Sequence, residues 1–392
     1  QDKNKKETIV HMPTGSGKTR VTMEVIIDFF RTHNPKKNTV VWMAHSEELC
    51  EQAADTFSYL WKLKGTGNVN ILKMWGGNKI EMIAENSLNL VITSFQTTYN
   101  SIRSNDTKRF QLFIELKSLN NLLVVDEAHQ STADTYKDAI ELLRNDKAKL
   151  IGLTATPGRI SEEETKELSE FYSGNLITLN DDNGNELGNK ALVYLQEKQI
   201  ISKIERLSWI GSSLDLSNDE ITNITNNYVD IPKEILTRLG NDASRNLLII
   251  ENLIEVVVKR KMQTILFAPS KESSNLIALA LRIRGVKAIS ITSDQDGSNR
   301  ESSIEAFKNG EINIICNYGV LTTGFDAPNV EAVVVARPTK SLVLYSQMIG
   351  RGIRGIKMGG TASCLVIDVK DNLESYADLN NQLVYFNEFY NV

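Results

Sequence analysis

Met12-Pro13-Thr14-Gly15-Ser16-Gly17-Lys18-Thr19 stands between a short apolar run, Thr8–Met12, and a stretch of helical periodicity, Lys18–Phe30. A glycine-rich turn between a strand and a helix is the setting that a phosphate-binding loop requires. Each residue type has a physical reason to be there. Glycines let the backbone wrap close to phosphate oxygens, and the amides and helix amino end supply positive potential. Lys18 reaches the β- and γ-phosphates and Thr19 offers a hydroxyl to Mg²⁺, with Thr14, Gly15, Ser16 and Gly17 forming the cradle. The general pattern opens on glycine where this chain has Met12, so Pro13 and Gly15 shape the turn instead.

Working outward, similar apolar runs recur at Thr39–Met43, Asn89–Ile92, Leu122–Val125 and Leu150–Leu153. They read as strands covered on both faces. The helical stretch from Lys18 to Phe30 places Val21, Val25, Ile26 and Phe29 on one face, which is expected to be the buried one. Strand and helix alternate, so a mostly parallel sheet with helices on both faces follows. A second series starts at Thr264–Phe267 and continues through Ala288–Ile291, Ile312–Cys316, Ala332–Val335 and Ala362–Ile367, with Ser273–Arg284 helical between. Between the series, Asp181–Asn189 is rich in turn formers. We expect an α/β protein of two lobes, residues 1–185 and 245–392, joined by a connector or insertion at 186–244.

Composition fits this and excludes other classes. With 392 residues, 41% hydrophobic and 24% charged, the chain matches globular averages. The length suits two cores rather than one. Its apolar runs are far below the ~18 residues of a membrane span. Cys50, Cys316 and Cys364 show no metal or disulfide spacing, and no signal pattern opens the chain, so a reducing cytoplasmic compartment is expected. The net charge of −5 gives no encouragement to nucleic-acid binding, unless positive charge is confined to one groove.

A phosphate loop needs a carboxylate at the tip of a neighbouring strand, and Leu122-Leu123-Val124-Val125-Asp126-Glu127-Ala128-His129 supplies two. Asp126 would hold Mg²⁺, and Glu127 would orient and deprotonate the attacking water.

These residues and those that follow resemble the superfamily 2 helicases of the DExH type, over nearly the whole chain from Val10 to about Asp368. Ala44–Gln52 looks like the family's motif Ia, Thr93–Thr97 like Ib, Asp126–His129 like II and Thr154–Thr156 like III. Leu266–Ser270 looks like motif IV, Gly319–Pro328 like V and Gln347–Arg354 like VI. The resemblance implies two tandem RecA-like domains, ATP and Mg²⁺ in the cleft between them, and nucleic acid lying across both. It implies that His129, Thr154 and Thr156 couple the two ligands, and that Ser94, Thr97, Ser270, Thr322 and Thr323 contact backbone phosphates. Gly324 and Asp326 would approach the nucleotide. Motif VI also stands on its own spacing: Gln347, Arg351 and Arg354 at i, i+4 and i+7 would share one face of a helix and aim two arginines at the γ-phosphate. Gly350 and Gly352 weaken that helix and suggest close packing against the other lobe.

His129, Thr154, Glu47 and Gln347 depart from the DEAD-box RNA unwinders and look more like DNA translocases of repair, restriction and defence systems. DNA is therefore favoured as the track, with a nuclease or other effector subunit as a candidate partner. An RNA-dependent ATPase and a nucleotide-gated clamp or assembly switch are the alternatives. The upstream element by which the family recognises adenine is not found in the 17 residues before Lys18. Asp368-Val369-Lys370 superficially matches half of a metal-nuclease motif but reads as a strand end.

Overall fold

The computed structural model describes residues 6–32, 38–76, 78, 83, 87–103, 107–158, 162–212, 214–226, 230–295, 297–321 and 329–371. Their chain path divides into two compact units, one made of residues 6–13 and 17–189 and the other of 14–16 and 190–371.

The first unit runs β1 (Glu7–His11), α1 (Lys18–Thr32), β2 (Thr39–Ala44), α2 (Glu47–Lys64), β3 (Val69–Met74), β4 (Leu88–Ser94), α3 (Phe95–Arg103), α4 (Thr107–Leu119), β5 (Asn120–Asp126), α5 (Asp134–Leu143), β6 (Lys149–Thr154), α6 (Glu162–Phe171) and β7 (Leu176–Ile177). The strands form one seven-stranded sheet in the order β3-β4-β2-β5-β6-β1-β7, and every pairing is parallel. Alternation along each strand feeds two cores. Val41, Met43, Val91, Leu123 and Val125 enter one face, while Val40, Trp42, Leu90, Ile92, Leu122 and Val124 enter the other. That double burial is why these strands read as continuous apolar runs.

Helix α1 corrects the expected face. Thr22, Met23, Ile26, Ile27 and Phe30 are its buried residues, whereas Val21 and Val25 are 47% and 48% exposed. Phe30 sets the rotation by packing edge-on against Phe57 and Trp61 of α2.

In the second unit come α7 (Ala191–Glu197), β8 (Lys203–Ile210), α8 (Asn218–Asn226), α9 (Lys233–Gly240), α10 (Ala243–Ile254), β9 (Thr264–Phe267), α11 (Lys271–Ile283), β10 (Ala288–Ile291), α12 (Gly297–Lys308), β11 (Ile314–Asn317), β12 (Ala332–Val335), α13 (Leu342–Ile349) and β13 (Ser363–Lys370). A π-helical turn, Glu255–Lys259, extends α10. The six strands order as β10-β11-β9-β12-β13-β8, again all parallel. Within the stretch read above as a connector, residues 203–210 are thus the edge strand of this sheet. Ile224, Ile231, Ile235, Leu236 and Leu239 of α8, α9 and their junction form a small core of their own.

Fold class follows directly: each unit is a parallel α/β sheet layered by helices, and the pair matches tandem RecA-like domains.

Candidate functional site

In an open parallel sheet, functional loops gather at the carboxyl ends of the strands. The first unit obeys this rule: the phosphate-type loop leaves β1, Asp126 ends β5, Thr154 ends β6 and Ser94 ends β4. Register does the positioning. His11 pairs with Thr154 across β1 and β6, and the Met12 amide donates to the Thr154 carbonyl at 3.1 Å. The start of the loop is therefore tied to the Thr154–Thr156 segment.

Gly15 and Gly17 adopt φ of 79° and 89°, the left-handed region that side chains resist. The Val21 amide closes the first helical bond onto the Gly17 carbonyl at 3.0 Å, so the amino end of α1 starts directly at the loop. Lys18 Nζ turns back to the Met12 carbonyl at 3.3 Å, spanning the loop where a phosphate would be held.

Asp126 is 6% exposed. Burial above all, and then the Glu127 charge, push its carboxyl up to about 7, while the Lys18 charge and the Glu127 amide pull it down. That amide donates to Asp126 Oδ1 at 3.0 Å. A buried carboxylate beside a second carboxylate is chemically matched to a divalent cation, whose charge would favour ionisation. With Lys18 and Thr19 nearby on α1, the donor set fits a magnesium nucleotide.

Glu127 occupies the left-handed region at φ 53° without being glycine. Such strain on a bulky residue is held only where the surroundings over-determine it. Two bonds do so: the one to Asp126, and an approach of Glu127 Oε2 to His129 Nδ1 at 3.3 Å. The same His129 nitrogen lies 3.3 Å from Thr154 Oγ1. Thr154 Oγ1 in turn donates to the Thr156 carbonyl at 2.8 Å and accepts from the Thr156 amide at 3.0 Å. The Thr156 hydroxyl is buried with no partner among the described residues. Asp126, Glu127, His129, Thr154 and Thr156 thus make one line of close polar contacts. The line is braced from behind, where Ser131 Oγ meets Tyr172 Oη at 2.9 Å.

Other predicted residues have local duties. Ser94 Oγ accepts from the Thr97 amide at 3.1 Å and donates to Thr97 Oγ1 at 2.9 Å, capping α3. Ser270 Oγ accepts from the Ser273 amide at 3.1 Å, capping α11. Ser94, Thr97 and Ser270 are all buried. Thr322, Thr323, Gly324 and Asp326 lie outside the described residues.

The arginine stripe is not helical. Helix α13 carries Gln347 but ends at Ile349, and Arg351 and Gly352 fold into turns onto the carbonyls of Met348 and Ile349. Arg354 lies beyond, bridged to Ile201. Gly352 has no room for a side chain, since a Cβ there would stand 2.6 Å from both Cys364 Sγ and Val333 Cγ2. Its close packing is therefore against strands β12 and β13 of its own sheet.

Sequence reading missed His11. Its imidazole is pushed down to about 4, by burial first and by the Lys18 charge second, with a bond to the Ala155 backbone opposing. Its Nε2 is buried with no partner among the described residues. The only signal was its place directly before the loop. His45, within the stretch read as motif Ia, stacks its exposed ring on Tyr136 at 5.9 Å and 10°.

Comparison with known proteins finds relatives of both halves of the chain. Residues 1–159 match the family profile of the type III restriction enzyme res subunit, and residues 247–355 match the helicase conserved C-terminal domain. IRC3 of Saccharomyces cerevisiae, which carries an ATP-dependent helicase designation, is 26% identical over 88% of this chain and 46% of its own length. The chain thus spans about half of that relative. Among solved structures, a single-substitution variant of S. cerevisiae Dbp5 bound to RNA and ADP BeF3 superposes with a TM-score of 0.61 at 16% identity, covering 98% of this chain and 83% of that one. A fragment assigned as the HsdR subunit of a type I restriction enzyme from Vibrio vulnificus gives a TM-score of 0.61 at 19% identity, covering 93% and 60%. With both profiles in order and the Asp126–Thr156 line at the strand ends, the chain belongs to the superfamily 2 helicases, a family of ATP-hydrolysing enzymes.

Proposed function

We propose that the chain is the motor core of a DExH-type translocase, which hydrolyses ATP in response to nucleic acid and moves along DNA. The observation that carries this reading is the line of close polar contacts from Asp126 through Glu127 and His129 to Thr154 and Thr156. It joins carboxylates suited to hydrolysis to a segment through which a second ligand can be sensed. Lys18 and the amides of the loop hold the phosphates, and Thr19 and Asp126 hold Mg²⁺, which would neutralise charge on the transferring phosphoryl group. Glu127 takes the proton of the attacking water, with His129 fixing the carboxylate's direction. From the second lobe, 245–392, Arg351 and Arg354 supply positive charge to the transition state, and Gln347, Gly324 and Asp326 complete its nucleotide-facing set.

DNA is favoured over RNA by the profile of a restriction-enzyme subunit over the first lobe. That profile and the restriction-subunit neighbour also support a larger complex with a nuclease or other effector subunit. Ser94, Thr97, Ser270, Thr322 and Thr323 are proposed as backbone-phosphate contacts on the resemblance. For Ser94, Thr97 and Ser270, phosphate contact would be made alongside their capping bonds. Among the described residues no helix is long and apolar enough to cross a membrane; a cytoplasmic setting is proposed.

ATP turnover measured with duplex DNA, single-stranded DNA and RNA tests the reading. Stimulation by either form of DNA is expected. Stimulation by RNA alone would replace the track, and none by any polynucleotide would leave a nucleotide-gated switch. Lys18→Ala should abolish turnover in every case.

A further inference from the structure

The arginine loop of the second unit is held by residues that precede its first strand. After α7 the chain passes through Gln199, Ile200, Ile201 and Ser202 before entering β8. There the Ser202 amide donates to the Ile353 carbonyl at 3.0 Å, the Gly355 amide to Ile200 at 2.9 Å and the Lys357 amide to Gln199 at 3.0 Å. Ile201 and Arg354 pair as an antiparallel bridge. Arg354 is therefore flanked on both sides by backbone bonds to one short segment. Gly355 leaves no space at this seam, because a Cβ would collide with the Gln199 carbonyl.

Ser202 adds a side chain to the clamp. Its hydroxyl donates to the Arg354 carbonyl at 2.6 Å and shares its proton with the Thr361 carbonyl at 2.8 Å. The Arg354 carbonyl also accepts from the Thr361 amide at 2.9 Å, so both of its lone pairs are used. Ser202 is 1% exposed, and water cannot readily replace its hydroxyl. The two ends of the loop, Arg354 and Thr361, are thereby closed on one oxygen.

We propose that Ser202 is a positioning residue for ATP hydrolysis: its hydroxyl fixes the Ile353–Thr361 loop and with it the direction in which Arg354 presents its guanidinium group. The inference rests on the role proposed above for the motif VI arginines. A cation that acts only on the transition state must be held to within a fraction of an ångström, and its backbone is the anchor. Ser202 bonds to that backbone unit itself, not to a neighbour in the core.

The test is a double-mutant cycle of Ser202→Ala and Arg354→Ala in the full chain. Its readouts are DNA-stimulated turnover, affinity for a fluorescent ATP analogue and the midpoint of thermal unfolding. Ser202→Ala should lower kcat by about tenfold or more with analogue affinity unchanged. In the Arg354→Ala background it should lower kcat no further, because there is then no guanidinium group to misplace. Ser202→Thr, which keeps a hydroxyl on Cβ, should stay near the parent rate. Equal losses in both backgrounds, or affinity falling in step with kcat, would overturn the proposal. If Arg354→Ala alone leaves kcat intact, the arginine role fails and the inference with it; if Arg354→Ala is slow and Ser202→Ala is not, only the latch is lost.

Discussion

Oε2 of Glu127 stands 3.3 Å from Nδ1 of His129, and the backbone of Glu127 is held at φ 53° to keep it there. A carboxylate aimed by its own strained backbone is preorganised to accept a proton in one direction. Glu127→Gln keeps the shape and removes the base. Turnover should fall by about 10²-fold or more, the usual scale of a lost general base, with ATP affinity retained and the nucleic-acid complex longer-lived. Persisting hydrolysis would remove Glu127 from that role.

Arg351 and Arg354 lie in the turn after α13, and neither is presented by a helix face. If their charge acts on the transferring phosphoryl group, Arg351→Ala should reduce kcat by up to ~10³-fold. The KM for ATP should change far less. Losses of equal size in turnover and in ATP binding would make the residue a ground-state ligand instead.

Arg245 and Asp371 form an ion pair with both side chains fully buried, Nε to Oδ1 at 2.8 Å and Nη2 to Oδ2 at 2.9 Å. Asp371 directly follows β13, so this pair ties the end of that strand to α10. Removing one partner leaves a buried charge. Arg245→Met should cost about 3–5 kcal/mol of stability. The double variant Arg245→Met/Asp371→Leu should recover much of that loss, because no charge is then stranded. Denaturant unfolding of the three proteins measures the difference, and a double variant no more stable than Arg245→Met would show that hydrogen bonds, not charge, decide the cost.

How much of this was legible depended on burial and on sequence distance. Strands β2, β5, β9 and β12 are buried on both faces and announce themselves as unbroken apolar runs. β3 and β8 are edge strands with polar residues facing water, and Lys203–Ile210 reads as an ordinary amphipathic stretch because most of it is exposed. On α1, Val21 and Val25 mimic a core stripe, and only the packing of Phe30 against α2 reveals the true face. Glu127 was read from a carboxylate pair closing an apolar run downstream of the phosphate loop, and His129 and Thr154 from their resemblance to family motifs in chain order. Ser202 could not be found that way: its partner is 152 residues distant, and a lone serine carries no pattern. The helix expected through Arg354 stops at Ile349, where Gly350 and Gly352 lower the helical propensity.

His11 makes the stability of the nucleotide-free protein sensitive to acid. Its pKa falls from an ordinary 6.5 to about 4 because burial, and then Lys18, disfavour the imidazolium. The folded state therefore keeps the ring neutral through a pH range in which the unfolded chain takes up a proton. At this site the unfolded state binds more protons between pH 6.5 and about 4, so the His11 contribution to stability rises with pH across that window and is lost as pH falls through it, while Asp126, held up at about 7, contributes in the opposite sense. The full effect is on the order of 3 kcal/mol. His11→Gln, which does not titrate, should remove this contribution and leave the opposing one from Asp126, so that stability falls more steeply with rising pH in the variant than in the parent. Urea unfolding at a series of pH values between 4 and 7 gives the comparison. An unchanged slope in the variant would show that the acid sensitivity has another source.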